Sequence, residues 1–531
     1  MNTVEHLPDF PAFRVFSRIP RFQKPPGKPS QGYASQTGAC GLSPFIQCTP
    51  SPTASDLKIY LFIPAAWFHM SNRSHITESV GEIRVIRGKS LLENVLDGRG
   101  RSFSLLYLTM PLPACIEIVP LAAPVKAEIT VPGSKSITNR VLVLAALADG
   151  ESVISGALWS EDTQVMVDCL QDLGFMVNVA PDPSEPCNRT ITVYGRSGTI
   201  PPGGTESQPL ELFVGNAGTA ARFLAALVSL GSGCYRLHGV PRMHERPQSA
   251  LFAALRELGY RIDSPNDRLP AVIHGSGPRP GRCTVSINES SQFASALLLC
   301  AQRGKWEVVV TGENSEESPY VLLTQQLCAQ FRKSSKFQVA PDASSASYFW
   351  AAGWLTGSGI SIAHWQSAAA TAQVDARFPN FWPLPPTISR NNELGDSIMT
   401  AIVLAPFAKQ TTTFTDLGRL RLQECERVLA LRTELTKCGV KVIESGDALT
   451  IEPGPLHGAT IETYNDHRVA MCFSILGLKV SGIKINNPAC VKKTFPNFYQ
   501  KLAGDPPHGL GVVIRDAQTG EALAEESLFA D

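Results

Sequence analysis

From about residue 116 to residue 505 the chain alternates short apolar runs with amphipathic stretches, the pattern of an α/β protein. Apolar residues recur at helical spacing over Val141–Leu147, Thr163–Leu173, Ala220–Leu230 and Ser249–Leu258. A further helix is expected over Ser397–Ala405, with Asp396 as its N-cap. Glycine, serine and asparagine precede several of these stretches and place them at strand-to-helix junctions. Phe378–Pro386, with prolines at 379, 383, 385 and 386, reads as a loop. Residues 1–115 differ. Pro, Ser and Gly punctuate them as far as Ser55, and no sustained helical or strand period follows. An extension outside the main fold is expected there, a disordered tail being favoured over a targeting peptide. Arg14, Arg18, Arg21, Lys24 and Lys28 make its start basic, but Glu5 and Asp9 count against targeting. From about Gly504 Pro and Gly return and acidic residues follow, so residues 506–531 are expected to form a solvated tail.

Composition narrows the class. The 531 residues are 44% apolar and 18% charged, enough for two or three domains with real cores. A formal net charge of zero gives no basic stripe, so no nucleic-acid partner is expected. Thirteen cysteines without a CxxC pair point to reduced thiols and a cytoplasmic location, with organelle targeting as the lesser alternative. The most apolar stretch, Leu57–Phe68, is too short for a membrane span and holds Pro64, so no membrane partner is expected.

Against this neutral background, cations recur beside glycines and hydroxyls. The segments are Gly133-Ser134-Lys135-Ser136 with Arg140, Gly215-Asn216-Ala217-Gly218-Thr219 with Arg222, Glu245-Arg246-Pro247, Ser290-Ser291-Gln292, Glu424-Cys425-Glu426-Arg427, Asp466-His467-Arg468 and Lys493-Thr494-Phe495-Pro496. A helix's first turn presents unpaired N–H groups and positive potential to an anion, and glycine lets the backbone approach it. A small, multiply anionic ligand is therefore expected. A nucleotide P-loop is rejected, because it needs glycine directly before the lysine and Ser134 stands there. No His, Cys or carboxylate cluster has ligand spacing, so no metal and no cofactor are expected.

These segments, in this order, resemble the 5-enolpyruvylshikimate-3-phosphate (EPSP) synthase family over roughly residues 116–505. The resemblance implies a two-domain inside-out α/β barrel of repeated βαβαββ units. Its first domain would comprise residues 116–134 and 341–505, and its second residues 135–340. It also implies transfer of the enolpyruvyl group of phosphoenolpyruvate to the 5-hydroxyl of shikimate 3-phosphate, with release of phosphate, in a monomeric shikimate-pathway transferase. By the same resemblance Lys135 contacts both substrates at the reacting centre, Ser136 and Arg140 hold the shikimate ring and carboxylate, and Asn216, Thr219 and Arg222 bind substrate. Ser290 and Ser291 bind its 3-phosphate. Arg246, Arg427, Arg468 and Lys493 hold phosphoenolpyruvate, with Gln292 and the Gly218 backbone. Asp396 engages the 5-hydroxyl. Glu424 is matched to the acid/base at C3, with Lys135 and His467 close by, and the division of that role between Glu424 and Lys135 is left open.

Three features depart from the family pattern. Gln423 replaces a substrate-binding lysine, with Arg419 and Arg421 as candidate substitutes; Glu317 stands where a serine is usual, with Ser318 beside it; and Thr356–Asp396 is short. These departures keep two alternatives open, a catalytically weakened ligand-binding relative and an enolpyruvyl transferase acting on a UDP-sugar. In this family glyphosate competes with phosphoenolpyruvate, and glycine at 218 implies a sensitive enzyme.

Overall fold

A computed structural model describes residues 112–312, 318–331, 334–365, 371 and 373–530, and before them the backbone of five short strands. The chain divides into two compact units, Met1–Tyr107 and Leu108–Asp531. In the first unit Ile46–Pro50, Asp56–Leu61 and Gly81–Ile86 form an antiparallel ribbon, and Val95–Leu96 pairs with Ser102–Phe103. This corrects the expectation of no strand pattern there, since Leu57, Ile59 and Leu61 do alternate with polar or amphipathic neighbours. Whether the extension is disordered or targeting concerns residues outside those described.

The second unit holds two apolar cores. One lobe, here the first, draws its core from Ile116–Val131 and from Ala346–Ala530. The second lobe draws its core from Ile137 to Val339. In the second lobe the helices Lys135–Leu147, Gly218–Ser229 and Ser291–Gly304 pack on one another. Gly218–Ser229 is buried along its whole length. A helix that is apolar all round belongs in an interior, and here the sheets lie outside the helices. Their strands accordingly alternate exposed and buried positions, as in Gly281–Ser286.

Two four-stranded sheets and one two-stranded sheet enclose these helices. Their orders are Lys336–Gln338, Asp149–Leu158, Asn188–Arg196, Met176–Pro181; then Leu210–Phe213, Ser232–His238, Ala271–Ser276, Arg261–Asp263; then Gly281–Ser286 with Trp306–Thr311. The first lobe repeats the plan around the buried helices Ala343–Thr356, Ile398–Leu404 and His467–Gly477. Its sheets are Thr387–Ser389, Thr412–Thr415, Ala448–Ile451, Val442–Ser445; Thr460–Ile461, Ile483–Asn486, Cys115–Ile118, Ile514–Asp516; and Gly359–Ile362 with Lys126–Ile129.

The chain passes between the lobes twice, and the two crossings are bonded to each other. Ser134 N donates to Ala340 O at 2.9 Å and Asp342 N to Pro132 O at 2.9 Å. A side chain on Gly133 would collide with the Gly156 carbonyl, so the crossing requires glycine.

Two expectations are corrected here. The supposed loop begins as a 3-10 helix, Val374–Phe381, with Pro379 inside it. Aromatic packing holds it in place: the Trp354 ring stacks on Phe378 at 5.1 Å and on Trp382 at 5.6 Å. The supposed solvated tail joins the first lobe, because Ile514–Asp516 pairs with Cys115–Ile118 and Leu510, Val512, Ile514, Leu528 and Ala530 are buried. The alternating Val512 and Ile514 supply an apolar edge that the Pro and Gly content masks. Among the described residues the cysteines are free thiols, and no helix is long and apolar enough to cross a membrane.

Candidate active site

Each of the six buried helices begins near one cleft. Lys135 and Ser136 open the first helix of the second lobe, Thr219 stands in the first turn of the second, and Ser291 and Gln292 start the third; all of them line a cavity of about 130 Å³. From the first lobe come Ser344 and Ser345, Asp396 just before Ile398, and Arg468 at the start of His467–Gly477. Aligned N–H groups and positive helix ends thus face one space from both lobes. Among the described residues six cations line it, Lys135, Arg140, Arg246, Arg390, Arg419 and Arg468, against four carboxylates, Asp342, Asp375, Asp396 and Glu424.

The charges form a chain across the cleft. Lys135 Nζ lies 3.0 Å from Asp162, and Lys493 Nζ lies 3.9 Å from Asp162 and 3.5 Å from Glu424. Arg427 joins Glu424 at 2.9 Å and grips Asp466 through Nε at 2.7 Å and Nη2 at 3.2 Å. Arg468 Nη2 lies 2.9 Å from Asp396 Oδ2, and Arg390 Nη2 donates to Asp396 Oδ1 at 3.3 Å.

These neighbours set the protonation states. Burial alone would raise the Asp396 carboxyl, but Arg468, Arg427 and Arg390 outweigh it and hold it below the ordinary range. Glu424 behaves alike: burial opposes ionisation, and Arg427 and Lys493 overcome it and hold the carboxyl well below its usual value. His467 is fully buried, and burial followed by Arg468 keeps its imidazole well below its usual value, hence neutral. Among the described residues neither of its ring nitrogens has a hydrogen-bond partner, and it does not reach the cavity wall.

Not every candidate lies at the wall. Arg140 does, but burial lowers its guanidinium to about 10, and it donates to the neutral Thr324 Oγ1 at 2.8 Å, Ser136 O at 2.8 Å and Ser295 Oγ at 3.0 Å. Arg222 sits behind the wall and donates to Gly218 O at 3.1 Å and Pro247 O at 2.8 Å, which ties together the two loops that carry Gly218 and Arg246. Asn216 offers its carbonyl to Arg246 Nη1 at 3.1 Å. The Ser290 hydroxyl is committed to capping its own helix, accepting from Gln292 N at 3.2 Å. Arg427 is 1% exposed, and its donors are taken by Asp466, Glu424 and Gln423.

The two substitutes proposed for the missing lysine separate. Arg419 reaches the cavity, whereas Arg421 turns to Glu426, to Glu444 at 2.8 Å and to Asp447 at 3.2 Å. Gln423 lines the cavity while its side chain accepts from Arg427. The alternatives drawn for Glu317 and Ser318 concern side chains outside those described. Asp396 is not the N-cap that was expected: Ser397 holds that position, and the turn is bonded to Asp375. Sequence reasoning missed Asp375, Arg390, Asp162 and Asp342. Arg390 and Asp375 stood in the segment that looked short and irregular, while Asp162, beside Ser160 at a helix start, was a readable signal.

A profile of the family described as EPSP synthase (3-phosphoshikimate 1-carboxyvinyltransferase) matches residues 120–333 and 387–502. The chain belongs to the EPSP synthase family. It is 35% identical over 429 residues to the 3-phosphoshikimate 1-carboxyvinyltransferase of Nostoc punctiforme, covering 73% of this chain and 98% of that one. With the protein of the same name from Opitutus terrae it shares 37% over 431 residues, 74% of this chain and 98% of that one. These matches make it an enzyme of the transferase class. Among solved structures, an EPSP synthase from Acinetobacter baumannii superposes with a TM-score of 0.58 at 20% identity, over 75% of this chain and 99% of that one. The enolpyruvyl transferase NikO from Streptomyces tendae does so with a TM-score of 0.54 at 15% identity, over 76% and 99%. Both likenesses bear on the fold, which is the two-domain α/β arrangement. The profile skips residues 334–386, which include the segment carrying Asp375.

Proposed function

We propose that the chain transfers the enolpyruvyl group of phosphoenolpyruvate to the 5-hydroxyl of shikimate 3-phosphate and releases phosphate. The observation that carries this reading is the pairing, in one cleft, of a cation-rich second-lobe wall with Asp396 and Glu424 of the first lobe. The hydroxyl oxygen attacks C2 of phosphoenolpyruvate while C3 gains a proton, giving a tetrahedral intermediate. Loss of a C3 proton and of the C2–phosphate bond then yields the product and inorganic phosphate.

Asp396 is ionised at neutral pH; it accepts the hydrogen bond of the attacking hydroxyl and takes its proton as the C2–O bond forms, passing it on to the departing phosphate. Its low proton affinity comes from Arg468, Arg427 and Arg390. An anionic substrate that draws the donors of Arg468 toward itself weakens that grip and makes Asp396 a stronger base as the complex forms. Glu424, ionised between Arg427 and Lys493, is placed to take the C3 proton in the second step, with Lys135 as the complementary donor. Arg246, Lys135 and Arg468 hold the phosphate and carboxylate; Ser136, Ser291, Thr219 and Gln292 supply the hydrogen bonds. Arg427, Arg222 and His467 act from behind the wall, the first two by fixing Glu424 and the Gly218 loop. Arg419 takes up part of the role of the absent lysine. We read the protein as acting alone in the cytoplasm.

The fold shared with NikO makes the acceptor the point to test. Phosphate release from phosphoenolpyruvate is predicted with shikimate 3-phosphate and not with a UDP-sugar. Turnover with the UDP-sugar alone would replace this reading. If the parent is inactive and Gln423→Lys is active, the chain is a weakened member of the same class.

A further inference from the structure

We propose that Asp375 is a positioning residue for the Asp396 carboxylate, holding the Gly395–Ser397 turn so that Asp396 is free to meet the substrate hydroxyl. The inference rests on the synthase reading above. Helix Ile398–Leu404 starts just after Asp396, and N–H groups at a helix start require acceptors. A carboxylate in the place of Asp396 is ordinarily spent on that task. Here it is not: the Asp396 side chain turns to Arg468 and Arg390.

Asp375 supplies the missing acceptor. Its Oδ1 accepts from Gly395 N at 2.8 Å, Ser397 N at 3.1 Å and Ser397 Oγ at 2.6 Å, while Oδ2 accepts from Ser344 Oγ. One buried carboxylate, 3% exposed, therefore bonds to the leading edges of two helices, Ala343–Thr356 and Ile398–Leu404. Positive helix ends and four donors offset the cost of burying its charge. Burial and the neighbouring Asp396 still push its carboxyl up from the ordinary value. The fit is close, since a Cβ on Gly395 would lie 2.8 Å from Val374 Cγ1 and 3.0 Å from Asp375 Oδ1. Val374 and Asp375 thus form the floor on which the Asp396 turn rests.

The test is a cycle of Asp375→Ala, Asp396→Ala and the double variant, with Asp375→Asn as the conservative control. A carboxamide keeps the three Oδ1 bonds and can donate to Ser344. Asp375→Ala is expected to lower kcat roughly 30-fold with the KM for phosphoenolpyruvate within about threefold, the loss that misplacing a reacting group brings. Asp375→Asn is expected to stay within about threefold of wild type. In the Asp396→Ala background, adding Asp375→Ala is expected to change kcat by less than about twofold, because a residue that acts through Asp396 has nothing left to position. Equal losses in both backgrounds, or failure of a folded Asp375→Asn to retain activity, overturn the inference. If Asp375→Ala does not fold, the same cycle with Ser397→Ala decides, with a loss of about fivefold expected only when Asp396 is present. Wild-type turnover is measured first. A folded wild type that releases no phosphate overturns the synthase reading and this inference with it, whereas an active wild type with additive losses overturns this inference alone.

Discussion

The two walls of the cleft are built from the same plan and carry different chemistry. The second-lobe wall offers Lys135, Arg140 and Arg246 with Ser136, Thr219, Ser291 and Gln292, while Asp162 stands off the cavity lining, paired with Lys135 at 3.0 Å. The first-lobe wall sets Asp342, Asp375, Asp396 and Glu424 among Arg390, Arg419 and Arg468. Three buried helices point their N-termini at the cleft from each side, so backbone potential is common to both. The side chains at the helix starts decide the rest. A wall of donors binds and orients anions, and a wall of paired carboxylates and arginines can move protons. Catalysis on this reading requires both walls on one substrate pair, and the two crossings beside Gly133 and Pro341 are hydrogen-bonded to each other.

If the walls divide binding from proton transfer, changes on each side should alter different kinetic constants. Glu424→Gln removes a proton carrier from the first-lobe wall. It should lower kcat by roughly 10³-fold with little change in the KM for phosphoenolpyruvate, checked by steady-state phosphate release. On the opposite wall Arg246→Ala should raise that KM about 30-fold and lower kcat far less, the loss of about 2 kcal/mol of charged hydrogen bonding. A mixed response from either variant would blur the division.

Gly218→Ala probes the same wall more gently. A Cβ there would lie 2.5 Å from Arg222 Nη1 and 2.6 Å from Arg246 Nη2, so both guanidinium groups must shift. Inhibition by glyphosate should weaken about tenfold, an effect of ~1.4 kcal/mol, while the parent should be sensitive. Equal sensitivity in both proteins would place glyphosate away from Gly218.

The smallest expected effect concerns acid stability. Asp396 and Glu424 are held below ordinary carboxylate values by the arginines around them. A carboxyl with a depressed folded value stabilises the fold fully above its unfolded value, near ~4, and that contribution is lost as pH falls through the folded value. Between pH 4 and pH 2 the urea midpoint of wild type should therefore fall more steeply than that of Asp396→Asn. Parallel slopes would contradict the assigned electrostatics.

Much of this division could be read from the residues. Cations beside glycine and hydroxyl residues at helix starts announced an anion site, and the helices at Lys135, Gly218 and His467 begin where those motifs stand. Sequence order could not reveal depth. Arg427, Arg222 and Ser290 carry the right motif but spend their bonds on protein partners, and only the fold separates Arg419 at the cavity from Arg421 at Glu444. Asp375 escaped because its donors, Ser344 and Ser397, come from two other segments. The C-terminal strand Ile514–Asp516 escaped because three residues carry too little periodicity to stand out from the surrounding Pro and Gly.

The most direct test of the central claim is phosphate release by the purified full chain, given shikimate 3-phosphate and phosphoenolpyruvate together and each alone, beside Asp396→Ala. The account predicts release only with both substrates, and a fall of about 10³-fold or more in the variant. No release from folded wild-type protein, or release that Asp396→Ala leaves intact, would contradict it.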